Sequence, residues 1–145
     1  MKSINFTVPG LFDKILNGSK KLTIRGLFIP AFVENERILL KDVVLKNGKR
    51  VAKRSIITKV TYIRFIRLKE VTDALAEREG FKTAEESKEW LRKKYGKSDE
   101  RWLVCICWRD LERESLREYN RTNEPNGRKQ TMLDNYMGIA PVNMY

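Results

Sequence analysis

The sequence predicts an α+β domain that is mainly β, a small, curved, mostly antiparallel barrel with peripheral helices. Three observations carry this expectation. Residues 36–45 (ERILLKDVVL) and 49–65 read as long strands meeting at Asn47-Gly48. That dipeptide is the strongest short hairpin signal, because both turn residues tolerate positive φ. Residues 102–108, WLVCICW, are apolar on both faces, as a central strand should be. Helical patterns are few and short, and a barrel closes the edges of such strands economically.

Element by element, Ile4, Phe6 and Val8 alternate and predict a first strand ending at Pro9-Gly10. Phe12, Ile15 and Leu16 make one face of a short helix, with Gly18 placed to cap it. Leu22-Thr23-Ile24-Arg25 alternates as a strand, with Leu22 and Ile24 inward and Thr23 and Arg25 sharing a half-buried polar face. The alternation slips at Ile56-Ile57, which predicts a bulge or bend. Thr72 caps a helix running to Glu79, and Gly80 stops it. Thr83-x-x-Glu86 is a capping box that opens a second helix, with Ala84, Leu91 and Tyr95 on one side and Gly96 at its end. Beyond Trp108, DLERESLREYN reads as a charged helix, RTNEPNGRKQ as a loop, and Met132, Leu133, Tyr136 and Met137 as a short docking helix.

Composition narrows the function. The chain of 145 residues is long enough for one domain with a real core. Thirty Lys and Arg against 19 Asp and Glu leave a net charge of +11, which favours polyanionic partners. There is no histidine, which excludes Ser-His-Asp and Cys-His catalysis and the commonest transition-metal ligand. Cys105 and Cys107 share one face of a strand, and two thiols do not complete a zinc site. A buried reduced pair is expected, with no metal and no cofactor. No apolar run approaches the roughly 18 residues of a membrane span, and MKSINFTVPG lacks the apolar core of a secretory signal. A cytoplasmic location is expected, and the oligomeric state stays open.

Residues 18–25, GSKKLTIR, place three cations around one threonine. Strict alternation puts Lys21, not Lys20, on the Thr23 face. In order along the chain, the short helix, GSKKLTIR, the hairpin, ITKVTYIRF, VTDALAEREGF, the capped helix ending in KKYG and the strand WLVCICW resemble the ASCH domain, a PUA-like β-barrel related to a known RNA-binding fold. The similarity rests on G-x-K-x-x-T-x-R and the ordered elements after it. It covers roughly residues 3–108, and divides the chain into a 1–108 barrel domain and a 109–145 segment of charged helix, loop and tail. The family often has Gly-Asp before its third strand, where this chain has Asn35, Glu36 and Arg37.

Some small bacterial ASCH proteins are amidohydrolases acting on acetylcytidine. The resemblance implies Thr23 as nucleophile, Lys20 as the partner lysine, Glu79 as the acidic residue and Arg25 beside them. A threonine hydroxyl needs a neighbouring base, and with no histidine a lysine is the available choice. Neutralising lysine near pH 7 is uphill by about 3 pK units, roughly 4–5 kcal/mol. Burial and the cations Lys21 and Arg25 reduce that cost, and Glu79 raises it. Two functions stay open. One is a module that binds RNA or a modified nucleoside in a basic cleft lined by Lys20, Thr23, Arg25 and Glu79, with Lys21 as a further binding residue; the other is an acetylcytidine-type amidohydrolase. A third possibility is that these residues are merely solvated or structural.

A second group of cations, Lys46, Lys49, Arg50, Lys53 and Arg54, surrounds the hairpin. With Lys59, Arg64 and Arg67 it is placed to track a phosphate backbone, although charge on a hairpin also simply blocks aggregation at an edge. Among the tryptophans, Trp90 lies off the Ala84-Leu91-Tyr95 stripe and is the expected exposed, base-stacking candidate.

Overall fold

The computed structural model describes residues 1–27 and 31–118. One sheet of five strands dominates: β1 (Ser3–Phe6), β2 (Leu22–Arg25), β3 (Arg37–Lys46), β4 (Lys49–Arg67) and β5 (Trp102–Glu118). Helix α1 (Leu11–Leu16) lies between β1 and β2. After β4 come a 3-10 turn (Leu68–Glu70), α2 (Asp73–Glu79) and α3 (Ala84–Tyr95). The strand order is β1-β3-β4-β5-β2, and only the β1–β3 pair is parallel. The sheet curls into a half-barrel whose two edges are β1 and β2.

Local chemistry accounts for the boundaries. Asn47 and Gly48 both adopt positive φ (55° and 77°) in the tight β3–β4 turn. The Thr72 hydroxyl accepts from Leu75 N–H and the Thr83 hydroxyl from Glu86 N–H, capping α2 and α3. Gly80, at φ 108°, ends α2 in the left-handed region. The expected slip near Ile56-Ile57 is a break in the β4–β5 register between Ser55 and Ile57. A further bulge between Asp42 and Val43 leaves Lys53 unpaired in the β3–β4 ladder.

Two buried clusters lie on opposite faces of the sheet. Phe6, Phe12, Ile38, Leu40, Ile56 and Trp108 belong to one. Leu22, Ile24, Ile66, Leu91, Cys105 and Cys107 belong to the other, covered by α2 and α3.

Residues 109–118 are strand, not the charged helix that their spacing suggested. The reason is β4, whose 19 residues run far beyond Trp108 and need a partner on the side away from β3. The extension meets that need. Thr58 donates its hydroxyl to Asp110 O at 2.6 Å, and Ile57 N–H donates to Ser115 Oγ at 2.8 Å. Leu111 packs on the core, and a bidentate Arg37–Glu112 pair ties the extension across to β3. The loop and short helix expected after residue 119 lie outside the described residues, of which no helix is long and apolar enough to cross a membrane.

Candidate functional site

The cleft sits where the half-barrel fails to close. An edge strand leaves alternate backbone groups unpaired, and on β2 side chains satisfy them. Glu79 Oε2 accepts from Ile24 N–H at 2.9 Å, and Lys20 Nζ donates to Leu22 O at 2.8 Å. Arg25 reaches across the seam and donates from Nη2 to Asn5 O on β1 at 2.7 Å. Three charged side chains therefore stitch the open edge, and all are buried: Lys20, Arg25 and Glu79 are 1%, 5% and 3% exposed.

Thr23 lies among them, also buried, and its Oγ1 accepts from Arg25 Nε at 3.0 Å. The half-buried polar face expected for β2 is thus fully buried, because α2 and β1 close over it. Glu79 Oε1 accepts from the Ser87 hydroxyl at 2.9 Å, which joins α2 to α3. The Phe6 ring forms the floor, with Lys20 Nζ 5.5 Å and the Arg25 guanidinium 4.9 Å from its centroid. Phe81, Trp90 and Lys94 complete the walls. The space left between these side chains is small, about 20 Å³, room for about one water.

Lys20 is electrostatically the unusual member. Burial brings its pKa down to about 7; Glu79 nearby raises it and Arg25 lowers it further. No carboxylate among the described residues lies within salt-bridge distance of it. Its hydrogen bonds go to two carbonyls, Leu22 O and Glu79 O (2.5 Å). A neutral amine has two N–H bonds, so both are used and the lone pair remains available. Burial also lowers the pKa of Arg25, and burial raises that of Tyr95 beside it. The Lys94 amine sits 4.9 Å from the Trp90 ring, and burial, then Arg25 and Arg50, lower its pKa to about 8.

The structure thus brings Lys20, Thr23, Arg25 and Glu79 into one cleft. Lys21 is different. It is exposed, does not line the cleft and borders a separate cavity. Lys20 reaches inward from the turn because its backbone N–H bonds back to Lys14 O, which fixes the chain before the strand begins.

The hairpin cations sit in different environments. Arg54 is held by Asp13 and Asp42, both at 2.9 Å. Lys49 and Lys53 are exposed, while Arg50 is half-buried and close enough to Lys94 to lower its pKa. Trp90 is half-buried in the cleft wall, packed 6.3 Å from Phe81, while the exposed tryptophan is Trp102, stacked under Arg67. Phe6, Asn5, Phe81, Lys94 and Ser87 were not singled out from sequence. Only Lys94, one helical turn after Trp90, carried a local signal.

No family model matches the chain, and no curated protein matches it. Solved structures do. Protein EF3133 from Enterococcus faecalis V583, described by the DUF984 family model, superposes with a TM-score of 0.55 at 15% identity. The match covers 87% of this chain and 85% of that one. The ASCH protein from Zymomonas mobilis gives 0.52 at 14% identity, over 92% of this chain and 94% of its own. At this identity the likeness speaks for architecture alone, and it agrees with the curled five-stranded sheet. The chain has the fold of the ASCH domain.

Proposed function

We propose that this protein binds a modified nucleoside in the seam cleft and hydrolyses an amide on its base, of the acetylcytidine kind. The observation that carries the reading is the Lys20 amine, buried, near neutral pKa and spending both N–H bonds on carbonyls. A group so placed suits a general base at physiological pH. Thr23 Oγ1 already accepts from a guanidinium, which stabilises alkoxide character, and its own proton is not donated to any described residue.

In the reaction, Lys20 takes the Thr23 hydroxyl proton as Oγ1 attacks the amide carbon. The resulting oxyanion gains from the positive charge of Arg25 and Lys94. Collapse breaks the C–N bond, Lys20 returns the proton to the leaving amine, and the acyl group stays on Thr23. Water, deprotonated by Lys20, then releases the acid. Glu79, the acidic residue of the resemblance, is not the acid that protonates the leaving amine. Both its oxygens already accept hydrogen bonds, so it anchors the site and offsets the positive charge. The aromatic walls, Phe6, Phe81 and Trp90, suit a planar base, which enters the narrow cleft once the Trp90 and Lys94 side chains at its wall swing outward.

The competing reading is a reader without turnover. It is favoured by the fact that neither hydrogen bond of Lys20 goes to Thr23, so the base must shift or act through a water. Incubation with acetylcytidine decides between them. Wild type is expected to release cytidine and acetate, and Thr23→Ala none. Binding of acetylcytidine without release, with Thr23 intact, would assign a reader.

A further inference from the structure

Behind β2, on the opposite face of the sheet, lies a second cavity of about 490 Å³, large enough for a nucleotide. Its floor includes Ile66, Leu75, Cys105 and Cys107, and Tyr62, 49% exposed, stands at its wall. Arg64 and Arg78 line it, with Lys21 and Arg109 at its border, and no acidic residue takes part.

These cations differ from the others of the molecule. Arg37, Arg54, Arg67 and Arg92 each hold a carboxylate. The side chains of Arg64, Arg78, Lys21 and Arg109 make no hydrogen bond or ion pair among the described residues. Like charges gathered around a hollow repel one another and are relieved by a bound anion. Two guanidinium forks fit phosphate oxygens better than a single carboxylate, and an exposed phenol ring beside them offers a stacking face for a base.

We propose that this cavity binds the phosphate of a nucleotide, free or within a single strand, with Arg64 and Arg78 on the phosphate and Tyr62 against the base. The site is separate from the cleft and does not depend on the chemistry proposed there. It also carries its own reporter. Cys105 Sγ lies 3.9 Å from Cys107 Sγ, and that hydrogen bond, with Arg78 and Arg64 nearby, lowers the pKa of the Cys107 thiol. Cys107 is buried, 6% exposed on the cavity floor, so alkylating reagent reaches it only through the open cavity and its rate reports whether the cavity is filled.

The probes are cytidine, cytidine monophosphate and a short single-stranded RNA, titrated against the full chain with the rate of Cys107 alkylation followed in parallel. The monophosphate or the RNA is expected to bind at least about tenfold more tightly than cytidine and to slow alkylation. Arg64→Gln and Arg78→Gln should each weaken binding about tenfold, and Thr23→Ala should leave it unchanged. Arg109→Gln, on another strand, gives an independent check should either first variant fold poorly, with a smaller loss expected. Protection by the monophosphate identifies a free nucleotide as ligand, and protection by RNA alone identifies a strand. The proposal is overturned if neither phosphate ligand binds, or if binding ignores the arginines, leaves Cys107 unprotected or requires Thr23.

Discussion

Lys20 has both its protons directed at carbonyls, and its charge state controls the cleft. With Lys20 as the proposed base, hydrolysis should rise with pH through about 7 and then level off. Lys20→Ala should lower the rate by several orders of magnitude. Lys20→Arg should not restore it, since arginine stays protonated. Stability should follow the same group. Its folded pKa is depressed below the ordinary lysine value, so between about 7 and 10.5 the unfolded chain binds the extra proton. Stability is therefore expected to fall as pH drops across that window, and to be flat in this respect below it. Chemical denaturation of wild type and Lys20→Met at several pH values checks this, and the slope should be shallower in the variant. Glu79 permits a sharper test. Glutamine can still accept from Ile24 N–H and donate to the Ser87 hydroxyl, so Glu79→Gln should fold. With the negative charge gone, its pH midpoint should move below that of wild type while turnover persists. Complete loss of turnover in a well-folded Glu79→Gln would return the acid role to Glu79. Glu79→Ala leaves two buried donors unpaired and should cost about 1–3 kcal/mol for each.

At the scale of elements, short-range signals were legible in sequence and long-range demands were not. Thr72, Thr83, Gly80 and Asn47-Gly48 act on neighbours a few residues away, and each appears where the sequence placed it. The common face of Thr23 and Arg25 followed from strand alternation. Their burial did not, because it comes from the closure of α2 and β1 over an edge that sequence periodicity does not describe. Lys20 illustrates the same limit: alternation selected Lys21, while the turn fixed by Lys14 O turns Lys20 inward. The β5 extension was misread for a related reason. Its charges repeat at helical spacing, yet the unpaired half of β4 decides its conformation. A chain ending at residue 108 should consequently lose the partners of Ile57 and Thr58 and the packing of Leu111. Compared with a chain ending at 118, its thermal midpoint is expected to fall by roughly 5–15 °C, measured by circular dichroism. Equal midpoints would show that the barrel is complete without the extension.

For the whole molecule, a net charge of +11 acts at longer range than either cavity. Such a field attracts polyanions from any direction, so basicity alone does not identify a binding face. The two hollows lie on opposite faces of the sheet and differ in electrostatic character. In the cleft every charged side chain that stitches the seam is already hydrogen-bonded. Around the second cavity the cations are uncommitted, and on the hairpin Lys49 and Lys53 are exposed while Arg54 is consumed by Asp13 and Asp42. On the hairpin the exposed lysines, Lys46, Lys49 and Lys53, are free to release counterions when RNA arrives. Lys49→Glu with Lys53→Glu should therefore weaken binding to all RNA sequences alike. If both lysines meet phosphates, the slope of log affinity against log salt should flatten by about 1.4. Affinity for cytidine monophosphate should change little, because a single phosphate held by Arg64 and Arg78 does not reach along a strand. Arg54 belongs outside this experiment, since reversing it would leave Asp13 and Asp42 facing a third carboxylate and confuse folding with binding. RNA affinity and salt slope measured by fluorescence anisotropy over a range of potassium chloride separate the cases. An unchanged slope in the double variant would make the hairpin lysines a solubilising edge and leave the Arg64–Arg78 cavity as the sole contact proposed for phosphate.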